Sequence, residues 1–247
     1  MSIELRNVSF AYPGGKPVLR DLSFSAERGG FLLVIGQNGV GKSTLLKLLN
    51  GILKPTSGQV LINGMDTATQ PTSRLAKEIC VTFQNPADQI FAPTIRAEVE
   101  FGPRNLRREN VGQLVDNALS LCELDALSSH HPYDLPAAQR KLLTVASAIA
   151  SGASFLAFDE PSAGLSQIER SIFERLLSAL KKEERGLIVV SHDLALLLPY
   201  ATTVLILARG EMIYYGDADA VTQQRELIRK AGLRLPLPYR LEKLLGK

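Results

Sequence analysis

The chain has few cysteines and lacks a long hydrophobic run. Its two cysteines, Cys80 and Cys122, lie far apart and match no metal-binding spacing, so we expect both to be reduced, as in a cytosolic protein. The longest apolar candidate, 194–208, is broken by Pro199 and by polar residues, which excludes a membrane-spanning helix. No signal pattern, internal repeat or low-complexity stretch is visible. These absences favour a soluble globular protein.

Composition and charge are those of an ordinary globular domain. Hydrophobic residues make up 45% of the 247 residues and charged residues 21%, which is enough to form a large core without disulfides. The net charge of +3 is unevenly placed, because 225–247 carries seven Lys/Arg against two Asp/Glu. Such a basic segment could contact anionic lipid, nucleic acid or an acidic partner, or it could be a solvated helix surface.

The most informative segment is a glycine-rich loop with the pattern G-x-x-x-x-G-K-[ST]. An apolar run, 31–35, precedes it, and a helical pattern that ends at Gly51 follows it, which is the context of a phosphate-binding loop. Its backbone N–H groups and its lysine would face phosphates, and a hydroxyl would face Mg²⁺. The loop therefore predicts a nucleoside triphosphate site formed by Gly36, Asn38, Gly39, Gly41, Lys42, Ser43 and Thr44.

Polar side chains also follow two other apolar strands. Asp159 and Glu160 end the run 155–158, where a carboxylate would hold Mg²⁺ together with Ser43 and the next one would polarise a water as general base. His192 follows the run 187–190 and would point into the crevice at the carboxyl ends of the strands. We therefore predict a metal role for Asp159 and a catalytic role for Glu160.

Alternation of short apolar strands with helices predicts an α/β fold with a parallel sheet that is covered on both faces. Alternating patterns at 3–8 and 18–24, joined by a Pro-Gly-Gly turn, predict an antiparallel pair. The region 73–127 is more polar and is expected to be helical, with interruptions at its prolines, Pro103 included. Helices are predicted at 136–150, at 167–181 and in a C-terminal segment after a last strand near residue 211.

In this order, the motifs resemble the nucleotide-binding domain of ATP-binding-cassette (ABC) transporters over nearly the whole chain. The resemblance implies a P-loop NTPase ABC-type ATPase domain at 1–215, with an antiparallel β subdomain and a helical subdomain at about 86–150. It implies a C-terminal helical extension at 216–247 as a possible dimerisation segment. It also implies that Tyr12 stacks on the adenine of ATP, that Gln84 reaches Mg²⁺ and the attacking water, and that His192 contacts the γ-phosphate.

The chain departs from the family at the signature sequence. The usual Leu-Ser-Gly-Gly-Gln, which faces the ATP of a second cassette in a head-to-tail dimer, is replaced by Leu135, Pro136, Ala137, Ala138 and Gln139. Proline offers neither hydroxyl nor N–H and the alanines add methyl groups, although proline suits the first turn of a helix. The usual D-loop aspartate is also replaced, by Ser166. We expect a heterodimer with one strong and one weak site, unless these substitutions are tolerated without consequence.

The stretch 83–103 and the segment 232–239 resemble the ATPases of energy-coupling-factor (ECF) importers of vitamins and of cobalt or nickel. This implies ATP and Mg²⁺ as cofactors, and a second, non-identical ATPase, a membrane scaffold subunit and a substrate-binding membrane subunit as partners. The location would be peripheral, at the cytoplasmic face of the cell membrane. Three alternatives are an ATPase of another ABC transporter, a regulatory ATP-binding subunit with little turnover, and a soluble cassette ATPase that acts on nucleic acid or ribosomes. The last would need a second cassette or a coiled-coil insertion, so we expect no nucleic-acid partner.

Overall fold

The computed structural model describes residues 1–234 and Pro236. The strands of this part are β1 (Ser2–Ala11), β2 (Pro17–Glu27), β3 (Phe31–Gly36), β4 (Ser57–Ile62), β5 (Met65–Asp66), β6 (Ile79–Thr82), β7 (Phe155–Asp159), β8 (Gly186–Val190), β9 (Thr203–Ala208) and β10 (Glu211–Asp217). The α-helices are α1 (Lys42–Leu49), α2 (Thr72–Leu75), α3 (Ile95–Asn105), α4 (Val111–Leu121), α5 (Ala137–Ala150), α6 (Gln167–Lys182), α7 (Leu194–Leu197), α8 (Ala218–Val221) and α9 (Arg225–Lys230). Three short 3₁₀ turns lie at Pro86–Asp88, Asp125–Leu127 and Pro132–Asp134.

The main sheet has six strands in the order β10-β9-β3-β8-β7-β6. All its neighbouring pairs are parallel except the edge pair β9 and β10. The side chains of β3 alternate between two cores, with Phe31, Leu33 and Ile35 on one face and Leu32 and Val34 on the other. The predicted parallel sheet with both faces covered is confirmed, and the edge strand β10 makes it a mixed sheet.

A second sheet, in the order β2-β1-β4-β5, is antiparallel throughout. It packs against the face of the main sheet that also carries α1, because Leu5, Leu22, Val34 and Leu46 belong to one buried cluster. The predicted antiparallel pair of β1 and β2 is confirmed. Together with β3, this sheet places the turn between β1 and β2 next to the phosphate loop.

The region 73–127 differs in two ways from the sequence-based expectation of an interrupted helical stretch. First, it contains β6, whose four residues extend the main sheet beside β7. Second, Pro103 does not interrupt a helix but lies inside α3, two residues before its end, and is buried. Proline has no N–H to donate to the carbonyl oxygen four residues earlier, and burial of its apolar ring in the core partly offsets this loss. The helices α3, α4 and α5 pack on one another in this region.

The last described elements, α8 and α9, pack on the main core. Val221, Ile228 and Ala231 are all buried in the cluster that also covers β9. Strand β10 runs through Asp217, so the last strand includes the first two residues of the expected extension, 216 and 217. The rest of the proposed dimerisation segment, residue 235 and 237–247, lies outside the described residues. Across the described part, no helix is long and apolar enough to cross a lipid bilayer.

Candidate functional site

The glycine-rich loop connects β3, in the centre of the main sheet, to α1. At Gly36 a side chain would lie 2.5 Å from the carbonyl oxygen of Leu207 on the neighbouring strand. At Gly41 the backbone has φ 108°, and a side chain would lie 2.6 Å from Leu19 Cδ2. Both positions therefore require glycine, and Gly41 turns the chain directly into the N-terminus of α1. The loop has the geometry that presents backbone N–H groups and a helix N-terminus to an anion.

Lys42 is the first residue of α1 and is only 7% exposed. Its Nζ donates hydrogen bonds to the carbonyl oxygens of Gly36, at 2.8 Å, and Gln37, at 3.0 Å. Burial lowers the pKa of the Lys42 ammonium, while the nearby carboxylates of Glu160 and Asp159 act in the opposite direction. The ammonium is thus held at the loop by carbonyl oxygens and lies in the field of two carboxylates.

An open cleft of about 470 Å³ lies over this loop. That volume is within the range of small-molecule sites. The cleft is lined by Tyr12, Val18, Asn38, Gly39, Gly41, Lys42, Ser43, Thr44, Gln84, Asp159 and Glu160. The structure therefore brings the phosphate loop, both carboxylates, Gln84 and Tyr12 together in one place. Gly36 is buried beneath the loop and contributes its carbonyl oxygen to Lys42.

Asp159 ends β7 beside the loop and is 5% exposed. Burial raises the pKa of the Asp159 carboxyl, and a hydrogen bond from the Ser43 hydroxyl acts in the opposite direction. The hydroxyl of Ser43, the carboxylate of Asp159 and the amide oxygen of Gln84 are the oxygen donors that Mg²⁺ prefers. The donors present in this part of the cleft therefore fit a magnesium ion.

Glu160 follows Asp159 and has a left-handed backbone conformation, with φ 50°. Its N–H donates to the carbonyl oxygen of Val190, at 2.8 Å, which ties it to the end of β8. Its side-chain Oε2 receives a hydrogen bond from Ser191 Oγ at 3.1 Å and lies 2.9 Å from His192 Nδ1. The Glu160 carboxylate is therefore oriented by a hydrogen bond from Ser191 and lies against the imidazole of His192, both just after the end of β8.

His192 itself does not line the nucleotide cleft. It lies in an adjacent cleft of about 340 Å³, whose lining also includes Ser162, Gly164 and Asp193. Its side chain is exposed, so it is accessible to a group that approaches from outside the chain. Glu160 stands between the two clefts, because it lines the first and contacts the histidine of the second.

Tyr12 stands at the other end of the nucleotide cleft. Its ring packs edge-on against the buried ring of Phe10, with centroids 4.9 Å apart. Its hydroxyl oxygen lies 3.3 Å from the Thr44 hydroxyl of α1. These two contacts fix the position of an otherwise partly exposed ring, whose free surface could stack on a planar base.

The replaced signature residues lie apart from this cleft, where α5 begins. Pro136 caps the helix from an extended conformation, and α5 starts directly after it. Leu135 is buried in the core, whereas Ala138 and Gln139 are partly exposed. The helix start thus tolerates proline, as predicted. None of the signature residues lines this chain's own nucleotide cleft. Ser166 forms a capping box with Glu169 at the start of α6.

Sequence reasoning missed one charged group near the site, Lys141. It lies in α5 and donates to the carbonyl oxygens of Glu160 and Ala163. A weak signal was available, because a basic pair, Arg140 and Lys141, close to the N-terminus of a helix opposes the helix dipole. The contact partner, however, lies about twenty residues away along the chain and is not readable from local pattern.

Fold and cleft together define a P-loop ATPase cassette, that is, an ATP hydrolase. A family model described as "ABC transporter" matches residues 19–163. The chain belongs to the ABC transporter family of ATP-binding proteins, which confirms the resemblance inferred from its motifs. ATP is therefore the nucleotide that it binds and hydrolyses.

Similar proteins cover almost the whole chain. The energy-coupling factor transporter ATP-binding protein EcfA of Methanothermobacter thermautotrophicus is 37% identical, over 95% of this chain and 76% of its own length. The EcfA protein of Methanocaldococcus jannaschii is 36% identical, over 99% of this chain and 89% of its own length. The structure of cbiO1 from Clostridium perfringens, part of the ABC transporter complex cbiONQ, has a TM-score of 0.80, 30% identity and 98% coverage of both chains.

Proposed function

We propose that this chain is the ATP-hydrolysing subunit that energises an ECF-type importer of a micronutrient, either a vitamin or a transition-metal ion. Similarity to EcfA proteins over 95–99% of the chain supports the transporter type. The observation that carries the catalytic part is the carboxylate of Glu160, which accepts a hydrogen bond from Ser191, contacts His192 and lines the same cleft as Lys42. The chain would act from the cytoplasmic face of the membrane, as a peripheral subunit.

In this proposal the cleft residues have distinct roles. Tyr12 stacks on the adenine, and the loop N–H groups and Lys42 bind the phosphates. Ser43, Asp159 and Gln84 would hold Mg²⁺, which neutralises phosphate charge when it is bound. The Glu160 carboxylate accepts a proton from the attacking water as general base.

His192 would act from the adjacent cleft. Its Nδ1 faces the Glu160 carboxylate, so the opposite edge of the ring is free to contact the γ-phosphate. Its accessibility fits a site that closes only when a second cassette covers it. This geometry supports a head-to-tail dimer, in which the outer cleft is filled by the partner.

The replaced signature supports a non-identical partner. Pro136, Ala137 and Ala138 would face the ATP of the second cassette without the hydroxyl and close backbone donors of the usual sequence. Each missing charge-assisted hydrogen bond is worth about 1.5–3 kcal/mol, so two or three losses would slow that opposite site by orders of magnitude. A partner with the usual signature would complete the site on this chain's phosphate loop, which gives one strong and one weak site.

A groove of about 810 Å³ between α3 and β6 is our proposed docking site for the membrane scaffold. On its rim the rings of Phe91 and Phe101 pack edge-to-face, with centroids 4.7 Å apart, although they are 62% and 50% exposed. Exposed aromatic pairs beside a groove are typical of surfaces that bind another protein. Thr82 and Gln89 line the groove, and Gln84 lies between them in the sequence. A helix docked in the groove would therefore contact the loop that carries Gln84.

The experiment is to express the chain with its membrane partners, purify it through a tag, identify the co-purifying subunits and compare ATP turnover with that of the chain alone. We expect negligible turnover alone and strong turnover in a complex that contains a second ATPase and two membrane subunits. Brisk turnover by the lone chain would contradict the division of labour. A complex in which only the second ATPase hydrolyses ATP would favour the alternative, a regulatory ATP-binding subunit.

A further inference from the structure

Lys141 connects the helix that begins at the replaced signature to the backbone of the catalytic strand end. Its Nζ donates to the carbonyl oxygen of Glu160 at 3.1 Å and to that of Ala163 at 2.6 Å. These two carbonyls open and close one turn, since the N–H of Ala163 also donates to the carbonyl oxygen of Glu160, at 3.3 Å. The Lys141 side chain of α5 therefore donates hydrogen bonds to the first and the last residue of the turn 160–163.

Lys141 lies in a half-buried position, which disfavours a charged side chain. We therefore infer that the lysine has a specific role at this position. The residue is only partly exposed, and burial lowers the pKa of Lys141, while the carboxylates of Glu160 and Asp159 act in the opposite direction. The hydrogen bonds of Lys141 are to neutral carbonyl oxygens, which a neutral donor could also satisfy. Its positive charge is placed where it faces the negative charge of the site.

The turn 160–163 requires stabilising contacts because Glu160 has a left-handed backbone conformation, with φ 50°. Such a conformation is unusual for a residue with a side chain and persists when surrounding contacts fix it. The N–H of Glu160 donates to the carbonyl oxygen of Val190, and its side-chain Oε2 accepts from Ser191 and contacts His192. The carbonyl oxygen of Glu160 accepts from the N–H of Ala163 and from the ammonium of Lys141, which is the one of these two donors that comes from another element.

We propose that Lys141 is a positioning residue for ATP hydrolysis, which holds the turn 160–163 and thereby keeps the Glu160 carboxylate aimed into the nucleotide cleft. The inference rests on the proposed role of Glu160 as general base. In this proposal α5 has two roles. It begins at the replaced signature, and it also positions the Glu160 turn of its own chain. A movement of α5 would then be transmitted directly to Glu160.

The test compares Lys141→Met with Lys141→Arg in the assembled transporter complex. Met keeps the length and apolar stem but removes the charge and the donors, whereas Arg keeps both. Lys181→Met, an exposed lysine in the last turn of α6, is the matched control. Turnover is measured as kcat and KM for ATP, and amide hydrogen exchange is followed across 160–165.

For Lys141→Met we expect kcat to fall by roughly 10- to 100-fold with KM changed by less than about threefold, because a misplaced catalytic group costs rate rather than ground-state binding. Amides across 160–165 should exchange faster, and Lys141→Arg should restore kcat to within about fivefold of wild type. The control should match wild type. If Lys141→Met does not fold, Lys141→Leu, which also removes the charge and the donors, is judged by the same comparison of kcat with KM.

Three results would overturn the inference: unchanged kcat in Lys141→Met, parallel losses of kcat and ATP affinity that indicate general packing, or no restoration by Lys141→Arg. Glu160→Gln, measured in parallel, separates this inference from the proposed function. Retained turnover in Glu160→Gln would overturn the role of Glu160 and the inference together. Loss of turnover in Glu160→Gln beside full turnover in Lys141→Met would overturn the inference alone.

Discussion

Removal of the Glu98 carboxylate should loosen the groove proposed to receive the membrane subunit. Glu98 lies in the first turn of α3 and is buried, and its Oε2 accepts hydrogen bonds from the backbone N–H groups of Phe91, at 3.0 Å, and Ala92, at 2.8 Å. It thus ties the segment that carries the exposed Phe91 to the helix that carries Phe101. Glu98→Ala leaves both N–H groups without an acceptor.

The size of the effect follows from these two bonds. A hydrogen bond to a charged group contributes about 1.5–3 kcal/mol, and a buried donor without a partner costs about 1–3 kcal/mol. Glu98 lines the open groove, so water can reach part of the vacated space, and the total falls near the lower end. We expect the free energy of unfolding to fall by about 2–4 kcal/mol, and the melting temperature by roughly 5–12 °C for a chain of this size.

The assay is urea unfolding of the isolated chain together with capture of the membrane subunits. Glu100→Ala is the matched control, because it removes the same charge from α3 but breaks only a surface pair with Arg104, at 3.0 Å. Such a pair contributes less than about 1 kcal/mol. ATP binding should be unchanged in both variants, while Glu98→Ala should capture less membrane subunit. A loss of stability below about 0.5 kcal/mol in Glu98→Ala would refute the reasoning.

Three further predictions concern the phosphate loop, the core and the signature. Gly41→Ala should weaken ATP binding at least about tenfold in calorimetry, because a methyl group would collide with a leucine of β2 at 2.6 Å and the backbone has φ 108°; wild-type affinity would contradict this. Burial raises the pKa of the Cys122 thiol in the folded chain. At a pH above the ordinary thiol pKa of 9.0, the unfolded chain loses a proton that the folded chain keeps, so the free energy of unfolding falls as pH rises. The stability difference between wild type and Cys122→Ala should therefore shrink by about 1.4 kcal/mol per pH unit above that value in urea unfolding at pH 7 and pH 10, and a constant difference would contradict it. In a complex whose strong site is silenced by Glu160→Gln in this chain, Pro136→Ser combined with Ala137→Gly and Ala138→Gly should raise the residual turnover about tenfold or more, because the added donors act on the opposite site, whereas unchanged residual turnover would mean that the natural residues are tolerated.

The sequence predicted those parts of the molecule that local pattern determines. The phosphate loop was recognisable because its spacing of glycines, lysine and hydroxyl between strand and helix is set by phosphate binding itself. The strand that ends at Asp159 and the strand that ends two residues before His192 were recognisable as continuous apolar runs, which are typical of strands buried on both faces. Their meeting near Lys42 follows from the parallel order of the sheet.

The features that the sequence did not predict depend on contacts between distant residues. Strand β6 has only four residues and lies in a polar region, so only its pairing with β7 makes it a strand. Pro103 is tolerated in α3 because it is buried near the helix end. Two sets of hydrogen bonds depend on side chains that reach another element: those from Lys141 to the turn 160–163, and those that Glu98 accepts from the segment 91–92. No local periodicity marks such contacts.

The most direct test of ATP hydrolysis by this chain's own cleft is the turnover of the assembled complex with Glu160→Gln in this chain alone. The amide keeps an oxygen that can accept from Ser191, so fold and ATP binding should persist while the general base is lost. We expect turnover to fall by at least about 100-fold, the usual contribution of a general base, with ATP affinity unchanged. Unaltered turnover would contradict the proposal and would assign hydrolysis to the other ATPase of the complex.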